Sequence, residues 1–181
     1  MVEKLRMIKD SGEIENIRQA CNIANDVYRW LLEVDTGFLF GLTEAELALE
    51  MEKKILSLGG DGKSFDMVVA NNQGSAFPHY VPSKKKIEPG AVLVDFGVMF
   101  NNYCSDITRT FFAGLKNNSY FKKIYDIVLE GQNRAVDSCK EGISSKELDS
   151  VARKFIESKG LGIILAMDWA MAWAWKSMRH R

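Results

Sequence analysis

The sequence carries no surplus of either charge: Lys+Arg is 24 and Asp+Glu is 24, a formal net charge of zero. That balance gives no electrostatic footprint for nucleic acid or for an anionic membrane surface. Cysteine is scarce. Cys21, Cys104 and Cys139, odd in number and widely spaced, form neither a zinc ligand set nor a disulfide framework, which points to a reducing, cytoplasmic setting. No run approaches the ~18 apolar residues of a membrane span. Met1 to Asp10 mixes charges without the apolar stretch of a secretory signal. What is present is ordinary: 181 residues, 46% hydrophobic and 27% charged, a balance that excludes disorder, collagen and coiled coil. The length suits one domain or two very small ones.

Helical periodicity comes first along the chain. Asp10 with Glu13 resembles a capping box, and Ile14, Ile17, Cys21, Ala24, Tyr28 and Leu31 keep helical spacing to about Glu33. A second helix opens at Thr43, with Glu46 at the box position and Leu47, Met51, Ile55 and Leu58 on one face. It stops at Gly59-Gly60. The period then changes. Phe65 to Ala70 reads as a strand, and Asn71 to Pro89 as a loop holding all three prolines. Ala91 to Phe100 and Tyr103 to Phe112 read as a hairpin turning at Asn101-Asn102, because asparagine tolerates the left-handed conformation of a tight turn.

Two further helices are expected, from Ser119 to Lys140 with Phe121, Ile124, Val128 and Ala135 inward, and from Ser144 to Lys159, ended by Gly160. Gly41 to Leu47 resembles Gly142 to Leu148, and the glycine stops Gly59 and Gly160 keep the same spacing between them. A duplication would account for this, and so would the shared caps of two similar helices.

Two carboxylates carry the chemistry. Asp95 interrupts the apolar run Val92-Leu93-Val94-Asp95-Phe96-Gly97, and Asp106 lies on the return strand in Ser105-Asp106-Ile107-Thr108-Arg109-Thr110. A turn at Asn101-Asn102 pairs 95 with 108 and 97 with 106. The two acids are then diagonal neighbours on one face, at roughly 7–8 Å or less. Buried like charges so close repel unless a cation sits between them, and a pair of divalent ions ~3.5–4 Å apart fits such a site. The alternative is a pair of strand aspartates held by backbone amides and Arg109. His79, in the loop before the hairpin, is positioned either to contact a substrate and move a proton near neutral pH or to stand as a solvated imidazole. Cys104 reads as core, and Lys84-Lys85-Lys86 as a solvated turn. His180, beside the C-terminus, gets no functional reading.

Pro78-His79, Val94-Asp95-Phe96-Gly97 and Tyr103 through Thr110 together resemble the Xaa-Pro dipeptidase and aminopeptidase (prolidase-like) branch of the pita-bread metallopeptidases. The likeness covers about Lys4 to Gly160. It implies an α+β fold, an incomplete pita-bread (creatinase/aminopeptidase-like) domain with helices packed on antiparallel strands. It implies that Asp95 and Asp106 ligate a dinuclear centre of divalent ions, manganese first, with cobalt or zinc as alternatives. A water bridging those ions would attack the amide carbon before proline, and His79 would contact the substrate. Tyr80 stands where the family usually has glycine. The implied partners are proline-containing dipeptides or peptides, with neither nucleic acid nor membrane, and the intact form is implied to be a homodimer. A smaller domain commonly precedes the catalytic one in this family, so the chain reads as a fragment at both ends or as a single-domain member.

The resemblance also implies three further metal ligands on the C-terminal third, beginning at a His-Gly-Leu-Gly-His stretch. After Gly162 this chain instead reads Ile163 to Arg181, rich in tryptophan (Trp169, Trp173, Trp175). Back-translation of Ala166 to Lys176, read from the third base of the Ala166 codon, forces x-Gly-Leu-Gly-x-Gly-x-Gly-x-Glu, and both of the first two open positions can be histidine. Lys176 to Arg179 can continue as Val-His-Glu. The expectation is a partial catalytic domain over 1–162 and an out-of-frame tail over 163–181, from a net one-base shift near codons 162–164 followed by an early stop. A natural pseudogene and a sequencing error fit equally. The competing reading is a non-catalytic chain, either a degenerate fragment or a pita-bread binding module.

Overall fold

The Asp10–Glu13 pair closes a capping box around the first helix, as the pattern predicts: Asp10 Oδ1 accepts from Glu13 N at 2.8 Å and Asp10 N donates to Glu13 Oε2 at 2.8 Å. The computed structural model describes residues 6–114 and 119–161. They fall into two units, Met1–Leu115 and Lys116–Arg181.

In the first unit, α1 (Ser11–Glu33) buries Ala20, Ile23, Ala24, Val27 and Leu31. The buried stripe is thus displaced from the expected one: Ile14 and Cys21 lie outside it, and Ala20, Ile23 and Val27 lie within. A short helix that the sequence pattern does not announce, α2 (Thr36–Gly41), is capped by Asp35, whose side chain accepts from Gly37 N at 2.7 Å. Helix α3 (Glu44–Ser57) opens with the expected Thr43–Glu46 box and buries Leu47, Met51 and Ile55. It ends at Gly59, whose φ of 89° is a left-handed stop that glycine adopts without strain.

The strands form two antiparallel sheets. One is ordered β1 (Gly62–Lys63), β4 (Val98–Phe100), β5 (Tyr103–Cys104); the other is β2 (Val68–Asn71), β3 (Gly90–Phe96), β6 (Ile107–Ala113). The strand expected from Phe65 therefore starts later, at Val68. Asn101 and Asn102 take φ of 49° and 67°, the left-handed turn foreseen for them. The register follows: Phe100 pairs with Tyr103 and Asp95 with Thr108.

The hairpin is not continuous, however. Each strand breaks, at Gly97 and at Ser105–Asp106. A Cβ on Gly97 would come within 1.9 Å of the Ser105 carbonyl oxygen and 2.2 Å of Ser64 Oγ, so only glycine admits this crossing. Ser105 bridges the break, its N–H donating to Val98 O at 2.9 Å and its Oγ accepting from Val98 N at 3.0 Å.

Strand β3 is the centre of its sheet. Val92, Val94 and Phe96 are fully buried and join Val27, Leu47 and Met51 in the core. Alternation sends Leu93 and Asp95 to the opposite face. Cys104, expected in the core, is exposed. It sits on β5, an edge strand, where the adjacent Ser105 takes the inward position. Lys84, Lys85 and Lys86 are exposed, as a solvated turn should be.

The second unit holds α4 (Ser119–Asp137) and α5 (Ser145–Ser158). Their buried residues are Gly131 and Ala135 on one helix and Ala152 and Ile156 on the other. A Cβ on Gly131 would lie 3.1 Å from Ile156 Cγ1, so the missing side chain gives the helices their close approach. Of the expected inward set, Val128 is exposed, and Phe121 and Ile124 are half-buried. Ser144 and Glu147 repeat the Thr43–Glu46 box, and Gly160 (φ 80°) repeats the stop at Gly59. No helix among the described residues is long and apolar enough to cross a membrane.

Candidate metal and substrate site

Asp95 is 6% exposed on β3, two residues before the break at Gly97. Its Oδ1 accepts a 2.9 Å hydrogen bond from Thr108 Oγ1, directly across the β3–β6 ladder. That bond puts both side chains on the sheet face turned away from Val94 and Phe96. Asp106 stands one residue before β6 and two before Thr108, at the break between the strands. Asp106, like Thr108, is exposed, whereas Asp95 is shielded by the strands on either side.

Arg109 projects to the other side of β6. Its guanidinium donates to Thr108 O at 2.9 Å and lies 5.8 Å from the centre of the Tyr28 ring. Thr108 is the residue that sequence reasoning did not assign to the site. The signal was available, since the turn at Asn101-Asn102 already pairs 95 with 108.

His79 lies on an exposed turn after a 3₁₀ segment, Asn72–Ala76, in the loop that links β2 to β3. Its neighbour Tyr80 points inward: the phenol donates to Glu44 Oε2 at 2.7 Å. Glu44 is the second residue missed. Only 1% exposed, it accepts from Asn71 N (2.9 Å), Ser83 N (3.1 Å) and Ser83 Oγ (2.6 Å) as well. Burial pushes its carboxyl group up, but these four donors outweigh burial and hold it below the ordinary glutamate range.

Carboxylate oxygens suit hard divalent cations, so Asp95 and Asp106 match such a centre in the type of donor they offer. Among the described residues there is no group of three or more His, Cys, Asp or Glu side chains able to hold a metal ion. The match therefore falls short in donor number. The tail over 163–181, with its tryptophans and His180, lies outside the described residues.

Comparison with known proteins decides the family. The model of metallopeptidase family M24 matches residues 15–180. The chain belongs to this family. It is 42% identical over 163 residues to an Xaa-Pro dipeptidase of Pyrococcus furiosus, covering 90% of this chain and 46% of the relative. The solved prolidase from Pyrococcus furiosus superposes with a TM-score of 0.82 at 40% identity, covering 92% of this chain and 48% of that one. An X-Pro aminopeptidase from Thermotoga maritima gives a TM-score of 0.82 at 40% identity, covering 90% and 45%. This M24 chain thus has an incomplete pita-bread architecture, and it spans about half the length of the relatives it matches.

Proposed function

We propose that the chain descends from a metal-dependent peptidase that cleaves the amide bond before proline, and that the 181-residue polypeptide does not itself catalyse that reaction. The observation that carries the lineage is the antiparallel pairing of Asp95 with Thr108, the register expected of the hairpin that bears Asp95 and Asp106, in a chain 42% identical to an Xaa-Pro dipeptidase. Asp95 and Asp106 would together ligate a dinuclear centre of divalent ions through carboxylate oxygens, manganese ahead of cobalt or zinc. Bound there, such ions supply Lewis acidity to an amide carbonyl and acidity to water. His79 would contact a proline-containing dipeptide or peptide from its exposed turn. Cytoplasmic location and a homodimeric intact form belong to the same reading.

The non-catalytic reading of this particular chain has its own support. Residues 163–181 contain no glutamate, only Asp168 and His180 as possible ligands. Residues 163–181 are read as the product of a shifted frame. The nucleotide sequence across codons 160–182 tests this, and a frame encoding no His-Gly-Leu-Gly-His stretch overturns it. For the activity, the purified chain is assayed on Xaa-Pro dipeptides with added manganese. No turnover is expected; robust hydrolysis contradicts the reading.

A further inference from the structure

Glu44 is a charged group that neither the metal nor the substrate reading uses, yet it is 1% exposed. Burying a carboxylate is costly unless its lone pairs are filled, and here they are filled in a particular way. Oε1 accepts from Asn71 N, at the point where the loop leaves β2. Oε2 accepts from Ser83 N, Ser83 Oγ and Tyr80 Oη, where the loop returns. One carboxylate on the first turn of α3 therefore ties both ends of the segment that carries His79.

Tyr80 extends this tie to the residue next to His79. Its ring lies across the 3₁₀ segment so closely that a Cβ on Gly74 would come within 3.0 Å of it. The phenol is 2.7 Å from Glu44, while Phe77 and His79 on the same loop are exposed. Tyr80 is thus held inward, and His79 beside it is exposed.

We propose that Glu44 and Tyr80 are positioning residues for His79, forming a clamp that fixes the loop and the direction in which the imidazole is presented. The importance of this clamp for substrate rests on the role assigned to His79 above. The clamp itself is tested without substrate, so either can fail while the other stands.

The test compares Tyr80→Phe and Glu44→Gln with the unaltered 181-residue chain by amide hydrogen exchange and by the NMR resonances of the His79 ring. Tyr80→Phe removes one hydrogen bond to a charged acceptor, and the expected result is about tenfold faster exchange at the Tyr80 and Ser83 amides. The β3 amides of Val92 and Val94 should change less than about twofold, and the His79 ring resonances should move toward the position of an unstructured peptide. Glu44→Gln keeps an acceptor oxygen for Asn71 and should loosen the Ser83 end more than the Asn71 end. Exchange that rises equally in β3 overturns the proposal, because the residues would then serve only general stability. Unchanged loop exchange, or a His79 resonance that does not move in Tyr80→Phe, overturns it as well. Should Glu44→Gln fail to fold, Tyr80→Phe alone decides.

Discussion

Thr108 Oγ1 donates to Asp95 Oδ1 at 2.9 Å, from the position that faces Asp95 across the β3–β6 ladder. The bond orients a mostly buried carboxylate. Thr108→Val keeps the shape and removes the donor. The expected cost is about 1 kcal/mol, below the full value for a charged acceptor because Thr108 is itself exposed. Urea unfolding should show a lower midpoint with unchanged slope; an unchanged midpoint means the bond contributes nothing.

Gly97 carries a heavier requirement. With the Ser105 carbonyl oxygen 1.9 Å from where a Cβ would stand, Gly97→Ala must push two backbones apart at the break between the sheets. The expected destabilisation is about 3 kcal/mol or more, at the upper end for overpacking. Thermal unfolding measures it, and a melting temperature equal to that of the unaltered chain would show that the strands can separate freely there.

The carboxyl group of Glu44 sets an acid limit. Its folded-state pKa is lowered, so its contribution to stability is fully present above the ordinary glutamate value. That contribution is lost as pH falls through the lowered folded value. Stability measured from pH 7 down to pH 3 should decline more steeply in the native chain than in Glu44→Gln. Parallel curves would mean that Glu44 has the same pKa folded and unfolded.

Two carboxylates leave most of an ion's coordination to water, so manganese should bind more weakly than about 0.1 mM. Titration calorimetry checks this, and tight uptake of two ions per chain would require ligands beyond Asp95 and Asp106.

The parts of the structure legible in the sequence were those set locally. Asn101 and Asn102 fixed the turn, and the turn fixed the pairing of Asp95 with Thr108. The capping boxes at Asp10, Thr43 and Ser144 placed three helix starts correctly. What escaped notice depends on distant neighbours. Gly97 looks like any glycine after a strand until Ser105 and Ser64 cross it. Glu44 looks like an ordinary acidic residue in a helix's first turn, where negative charge is favoured anyway; only the fold brings Asn71, Tyr80 and Ser83 to it. Val128 keeps the right spacing for burial yet is exposed, while Gly131 and Ala135 on the same helix are buried.

The central proposal is that Asp95 and Asp106 together ligate divalent cations, and Mn²⁺, being paramagnetic, reports its own location. NMR spectra of the chain at rising manganese concentration should lose the signals of Asp95, Asp106 and Thr108 first, and replacing Asp95 by Asn should abolish that selectivity. Broadening centred elsewhere, or identical in Asp95→Asn, would contradict the assignment.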